Sequence, residues 1–186
     1  MYQGVLVDNF NAYSVPIGDL PVGKHEFEFE VNDEFFAHFE GSEVLSAAVR
    51  VCLDVEKSSE VSHLLFGMEG TATVECDRCL DELELPVEFD GELMVYLSTS
   101  PTVSKGEEEM EEDDTVFLLA GESNLNLAQY IYESICLSLP MQRVHLDDEH
   151  GNTTCNPEMV AKLKELQGEA QQIKEANSPW SKLKNL

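Results

Sequence analysis

The sequence predicts an α+β fold, in which a mostly antiparallel β-sheet, barrel-like in one alternative, precedes an amphipathic helix and a C-terminal helix. Apolar and polar residues alternate with the period of a strand through most of residues 25–97. A helical period replaces this alternation only later in the chain. Strands followed by helices favour an α+β domain over a doubly wound fold. We expect a single α+β domain over residues 1–156, and a helix with a basic tail over residues 157–186.

The strands are predicted from the side chains that alternation places on one face. In HEFEFEVN (25–32) glutamates alternate with apolar residues, and DEFFAHF (33–39) is interpreted as a short helical turn. Three longer segments alternate in the same way: LSAAVRVCLDVEKS (45–58), SHLLFGMEGTATVEC (62–76) and LELPVEFDGELMVYL (83–97). In the first of them, Leu45, Ala47 and Val49 share the inner face. One apolar and one acidic face are typical of an antiparallel sheet that is half exposed to water.

The later elements follow from a change of period. SKGEEEMEEDD (104–114) is an acidic run that we interpret as a solvated loop, and VFLLAG (116–121) as one more strand. NLAQYIYESICLSLP (126–140) has apolar residues at helical spacing, with Asn126 as the N-cap, Gln129 three residues later and Pro140 as the stop. Pro157 then begins a second helix.

The charge of the chain restricts its partners. The 186 residues include 37 acidic and 11 basic residues, a formal net charge of −26 at pH 7. Five of the basic residues lie in residues 162–186 beside three acidic ones, so this segment carries a net +2 and residues 1–161 carry −28. Nucleic acid binding requires Lys and Arg to displace counterions from phosphates. We therefore expect a basic protein as partner, with solubility as the other explanation of the charge.

Targeting signals and disulfides are not predicted. No apolar run reaches the roughly 20 residues of a membrane span, and the first residues, MYQGVLVDNFNAYSVPIGD, lack the pattern of a signal peptide. We expect a cytoplasmic protein without a membrane partner, in which thiols stay reduced. The five cysteines are odd in number and mostly widely spaced, which does not suggest a disulfide framework.

The cysteines offer three interpretations. Cys76 and Cys79 form a C-x-x-C turn between two strands, and such a turn can present two thiolates to one tetrahedral Zn²⁺ at about 2.3 Å. The loop VHLDDEHGNTTC (144–155) adds His145, His150 and Cys155, two of which would complete a Cys₂His₂ or Cys₃His site. A structural ion is favoured over a catalytic one, because no obvious general base accompanies the set.

A redox pair and a pair of unligated thiols are the alternatives. A redox cysteine needs a helix N-terminus or cations nearby. Arg78 is the one favourable neighbour of the C-x-x-C turn, which is otherwise surrounded by acidic residues: Glu75, Asp77, Asp81 and Glu82.

Four sequence features together resemble one family. They are C-x-R-C-L (Cys76, Arg78, Cys79 and Leu80), LSLP (137–140), R-V-H with the later Cys155, and a terminal W-x-K-L-K-x-L (180–186). This combination resembles the YceD family of large ribosomal RNA subunit accumulation proteins, from about residue 25 to the end. The resemblance implies a non-enzymatic role in ribosome assembly. It also implies metal-type positions at Cys76, Cys79, His145 and Cys155, with His150 as a substitute ligand.

Charge and resemblance together lead to an expectation about partners. A strongly acidic factor should act through protein contacts, with a basic ribosomal protein or assembly factor on the acidic face of its sheet. Direct RNA contact is expected only from the Lys-rich tail around Trp180, where aromatic stacking beside positive charge is feasible. The sequence predicts no particular oligomeric state.

Overall fold

The computed structural model describes residues 10–98, 115–119 and 121–177. The acidic run at 104–114 and the Lys-rich tail around Trp180 lie outside the described residues. In chain order the described elements are a 3₁₀ helix (Phe10–Tyr13), β1 (Ser14–Val15), β2 (Gly23–Val31), α1 (Asp33–Phe36), β3 (Val44–Lys57), β4 (Val61–Glu75), β5 (Glu82–Ser98), β6 (Thr115–Leu119), β7 (Leu125–Asn126), α2 (Ala128–Ser138) and α3 (Pro157–Asn177).

The sheet confirms the predicted fold class. Five strands pair in the order β2-β3-β4-β5-β6, and β1 pairs with β7 in a separate two-stranded sheet. The β2–β3 and β3–β4 pairs are antiparallel, whereas β5 and β6 run parallel. Both longer helices follow the strands of the main sheet. Among the described residues the sheet is open, with β2 and β6 at its edges, so the barrel-like alternative does not apply, because a barrel requires its edges to pair.

The predicted faces of the strands are correct except at one end of β3. Val49, Val51 and Leu53 are almost completely buried, and Arg50 and Cys52 between them are exposed. Leu45, which alternation assigned to the inner face, is 49% exposed, and Val44 is buried instead. The pairing with β4 shifts register between Val44 and Ser46. A β-bulge there reverses the alternation.

Helix α2 contributes aromatic and aliphatic side chains to the core of the sheet. Ile131 and Ile135 are fully buried. Tyr130 packs on Phe66 of β4 with ring centroids 4.5 Å apart, and Tyr132 stacks on Phe39 at 3.9 Å. The apolar stripe predicted for this helix therefore faces the core.

The chain groups into two compact units. The first consists of Met1–Val74 and Glu84–Pro140, and the second of Glu75–Leu83 and Met141–Leu186. The second unit thus takes in the short connection between β4 and β5 as well as α3. The boundary predicted at residue 157 stays a prediction. Among the described helices, none combines the length and apolar character that crossing a membrane requires.

Candidate metal centre

The connection between β4 and β5, residues 76–81, is a tight turn that we call the knuckle turn. The N–H of Leu80 donates to the carbonyl of Cys76 at 2.9 Å, and the N–H of Cys76 donates to the carbonyl of Asp81 at 2.9 Å. Leu80 has a φ of 63°, a left-handed conformation that side chains other than glycine rarely adopt. These bonds close the turn, and both of its thiols are buried, with Cys76 0% and Cys79 1% exposed.

A second segment, residues 143–145, lies along the knuckle turn. The N–H of Asp77 donates to the carbonyl of Arg143 at 2.7 Å, and the N–H of Arg143 donates to the Asp77 carboxylate at 2.7 Å. Two residues later, the Nε2 atom of His145 lies 3.2 Å from the carbonyl oxygen of Glu82. Since a carbonyl only accepts, Nε2 carries the hydrogen, and in the neutral ring Nδ1 keeps its lone pair.

The loop at 146–156 brings the third thiol. The Asp148 carboxylate accepts from the N–H groups of His150 and Asn152 at 2.9 and 2.7 Å, and Asp147 forms an isolated bridge with Thr153. The Asn156 side chain then accepts from the N–H of Glu158 at 3.1 Å at the start of α3. An Asn N-cap followed by a proline is a favourable helix start. Cys155 directly precedes this cap and is 4% exposed.

The four side chains have the spacing of a tetrahedral site. Cys76 Sγ and Cys155 Sγ are 3.9 Å apart, and His145 Nδ1 lies 3.5 Å from Cys79 Sγ and 3.7 Å from Cys155 Sγ. All four ligand atoms lie within 4.8 Å of one another. Zinc–sulfur bonds of about 2.3 Å and zinc–nitrogen bonds of about 2.0 Å give edges of about 3.8 Å between sulfurs and about 3.5 Å between sulfur and nitrogen. Zn²⁺ therefore fits these residues in both donor type and spacing.

The surroundings favour a negative charge on two of the sulfurs. Burial raises the pKa of Cys76, but N–H groups of Arg78, Cys79 and His145 outweigh it and lower the pKa to about 6. The Thr153 hydroxyl lowers the pKa of Cys155 against the effect of burial. Burial instead raises the pKa of Cys79. Metal ligands must be deprotonated, so this arrangement reduces the cost of forming thiolates at Cys76 and Cys155.

Hydrogen bonds with the sulfurs also affect the imidazole. Those with Cys155 and Cys76 raise the pKa of His145, and burial opposes them. A proton at Nδ1 would thus lie between the histidine and the thiolates, where a divalent ion could replace it.

The second unit has thiols where a small domain usually has aliphatic side chains. Among its described residues, the buried side chains are Cys76, Cys79 and Cys155. Four apolar residues pack around them and are only partly buried: Leu83, Val144, Met159 and Val160. Small units with little apolar burial usually need a disulfide or a metal, and these cysteines form no disulfide.

Of the five candidate ligands predicted from the sequence, four cluster in the structure and one does not. Cys76, Cys79, His145 and Cys155 come together, although up to 79 residues separate them. His150 is exposed and lies outside this group. Sequence reasoning missed Thr153, whose oxygen accepts from the N–H of Cys155 at 3.2 Å. A hydroxyl residue two positions before a candidate thiol was the available signal.

Comparison with known proteins identifies a family. Residues 64–186, about two thirds of the chain, match the model of the family described as "Large ribosomal RNA subunit accumulation protein YceD". The matched range contains all four clustered residues. No significant match was found among curated proteins or among solved structures.

Proposed function

Because the chain belongs to the YceD family of large ribosomal RNA subunit accumulation proteins, we propose that it is a cytoplasmic, non-enzymatic accessory factor in ribosome assembly. It supports the accumulation of large-subunit ribosomal RNA, and it does so through contacts with a basic ribosomal protein or assembly factor. The family match is the observation that carries the role. The surface charge of the sheet supports the choice of a protein, rather than RNA, as the direct partner.

The outer side of the sheet, which we call the acidic sheet face, is the surface proposed for this contact. It exposes Glu26, Glu28, Glu30, Asp54, Glu56, Glu69, Glu88, Asp90 and Glu92. Two cations on the same face are paired, Lys24 with Glu56, and Arg50 with Glu28 at 3.0 Å. Such a surface repels phosphates and attracts Lys- and Arg-rich proteins.

One cross-strand pair supports a cationic partner more specifically. Glu26 lies directly opposite Asp54 in the β2–β3 register, and like charges in this position destabilise a sheet. A partner cation between the two carboxylates would remove this repulsion. Glu30 lies opposite Arg50, which also pairs with Glu28, whereas Glu26 lies opposite a carboxylate.

Capture from cell extract at low and high salt tests the proposal. We expect recovery of basic ribosomal proteins or assembly factors at low salt, with loss at high salt and no effect of ribonuclease. The triple variant Glu26→Gln, Glu28→Gln and Glu30→Gln should lose this capture. The matched control Glu40→Gln, Glu60→Gln and Glu122→Gln, which changes the same charge at exposed positions off this face, should retain it. Recovery of free ribosomal RNA without ribosomal proteins would overturn the protein-first mechanism.

We also propose that Cys76, Cys79, His145 and Cys155 hold one structural Zn²⁺. Three thiols and an imidazole are the ligand chemistry that Zn²⁺ prefers, and four protein ligands leave no position for water or substrate, as in structural sites. The hydrogen bond from His145 Nε2 to Glu82 supports the proposal, because metal-bound histidines almost always donate their second ring N–H in this way.

Metal analysis of protein purified without chelator tests the zinc site. We expect one equivalent of zinc per chain, lost in Cys76→Ser. Cys52→Ser is the control, because Cys52 is an exposed cysteine of β3, and it should keep the metal. Stoichiometric zinc in Cys76→Ser would refute the ligand set.

A thiol-dependent redox protein that uses the Cys76/Cys79 pair is the second candidate, because the pKa of Cys76 is lowered to about 6 and its sulfur lies within 4.8 Å of that of Cys79. A low thiol pKa favours thiol–disulfide exchange. Metal-free protein that forms a disulfide reversibly in a glutathione buffer at a mild potential, while the protein as purified contains no zinc, would favour this function over the structural site.

A further inference from the structure

Arg78 joins the knuckle turn to the loop that carries Cys155. Its Nη1 atom donates to Thr153 Oγ1 at 2.7 Å, approaches Cys155 Sγ at 3.8 Å and lies 3.6 Å from an Asp147 carboxylate oxygen. The same Thr153 oxygen accepts from the N–H of Cys155. The Arg78 guanidinium and the Thr153 hydroxyl therefore form one network with Cys155, around its sulfur.

This network supplies charge where the proposed centre needs it. Three thiolates and a neutral imidazole around a divalent ion carry a net charge of −1, and Cys155 contributes one of those thiolates. A residual charge in a buried site is costly unless it is paired. Arg78 is a cation that the structure places beside one of the sulfurs, and its Nη1 atom contacts both Thr153 Oγ1 and Cys155 Sγ.

We propose that Arg78, through Thr153, is a positioning residue of the metal centre. It holds Cys155 in its place in the tetrahedron and offsets the residual negative charge. This inference rests on the zinc site proposed above and assigns a function to the arginine inside the C-x-x-C turn. Loss of an outer-shell partner typically reduces metal affinity by about 10–100-fold, and we expect that range for Arg78→Gln.

The test measures zinc affinity of the full chain by competition with a chelator, and records the visible spectrum of the Co²⁺-substituted protein, which reports on ligand geometry. Arg78→Gln should lower the affinity and shift the spectrum, and Thr153→Val should do both to a smaller extent. Arg78→Lys keeps the charge and should recover part of the affinity. Lys162→Gln removes one exposed cation of the same unit, and it should stay within about two-fold of the unmodified protein.

The double variant Arg78→Gln with Thr153→Val distinguishes one network from two separate effects. If both residues act on Cys155 together, the double variant should lose little more affinity than Arg78→Gln alone. Additive losses, or Arg78→Gln as close to the unmodified protein as Lys162→Gln, would overturn the inference while leaving the zinc site intact. If Arg78→Gln does not fold, Thr153→Val and Arg78→Lys are judged by the same criteria. An unmodified protein that binds neither zinc nor cobalt would refute the metal site itself, and this inference with it.

Discussion

Removal of the metal should unfold the second unit and leave the five-stranded sheet folded. The perturbation is either chelation or Cys76→Ser. The first unit buries many large aliphatic side chains, among them Leu53, Leu64 and Ile131, and contains none of the four proposed ligands. The second unit depends on the ligands directly, because its buried side chains among the described residues are the three thiols.

The magnitude follows from comparing apolar burial with metal binding in the second unit. Full burial of a large aliphatic side chain contributes about 1.5–3 kcal/mol, so Leu83, Val144, Met159 and Val160 would together give at most about 6–12 kcal/mol, and they are only partly buried. A structural zinc ion contributes about 10–16 kcal/mol at neutral pH. Metal binding at the proposed site should therefore stabilise this unit more than its partly buried apolar contacts do, and those contacts should not suffice when the ion is removed.

Amide hydrogen exchange read out by mass spectrometry resolves the two units. Chelation should abolish protection at the hydrogen-bonded amides of Cys76, Leu80 and Arg143, whereas the amides of β3 should remain protected. Cys52→Ser should behave like the unmodified protein before and after chelation. Unchanged protection of residues 76–81 and 143–155 in the fully chelated protein would refute the reasoning, because the thiol cluster would then be stable without an ion.

Three further predictions concern single positions. Gly70→Ala should lower the free energy of unfolding of the first unit, measured in urea, by at least about 2 kcal/mol, because its Cβ would lie 2.1 Å from the Ala48 carbonyl oxygen. Gly67→Ala is the control that should be tolerated, because the atom nearest to its Cβ lies at 3.7 Å. Tyr13→Phe should cost about 1 kcal/mol through loss of the 3.0 Å hydrogen bond to the Glu30 carbonyl. Burial, helped by Glu34, raises the pKa of Tyr13 above its ordinary 10.0. The contribution of the neutral phenol to stability is therefore present below pH 10 and is lost as the pH rises through the folded-state pKa. Absorbance titration of the phenol can follow this change. Leu80→Gly should stabilise the metal-loaded protein by about 1 kcal/mol, because it relieves the left-handed φ of 63°, whereas Leu80→Val should lower the thermal midpoint.

Alternation predicted the strands because it is a local property, and it failed where pairing between strands changes the local geometry. The bulge between Val44 and Ser46 is defined by the residues that they face on β4, Val74 and Thr73, and one strand read alone carries no trace of it. The same limit applies to β1 and β7. These strands have two residues each, too few to show a period, and they pair across more than 100 residues.

The start of α2 shows a smaller deviation with a similar cause. The helix begins at Ala128 with Leu127 as its cap, one residue later than the predicted cap at Asn126. The Asn126 side chain still accepts from the N–H of Ala128 at 2.9 Å. Gln129 bonds to Glu133 at 2.6 Å, so it does not return to the cap as a capping box requires.

The types of ligand in the candidate site could be predicted from the sequence, but the spacing of residues along the chain could not identify which histidine takes part. A C-x-x-C turn lacks two ligands, and a loop with two histidines and a cysteine is the place where they could be found. No local pattern selects His145 over His150, because both are polar loop residues near Cys155. The hydrogen bond between Arg143 and Asp77 selects His145, because it places this residue beside Glu82. His150 lies instead in the turn that the Asp148 carboxylate closes.

The net charge of the chain acts over longer distances than the groups that determine whether its thiols ionise. Exposed carboxylates farther than about 8–10 Å from a group are largely screened at physiological salt. The N–H groups that reach Cys76, and the guanidinium beside Cys155, act at contact distance inside a buried cluster. The thiols of Cys76 and Cys155, whose pKa values are lowered, can therefore ionise readily in a chain of net charge −26. It follows that added salt should weaken capture of a basic partner on the acidic sheet face without changing the metal content. If added salt removed both the partner and the metal, binding of both would depend on the same long-range electrostatics. The separation between partner binding and metal binding would then be wrong.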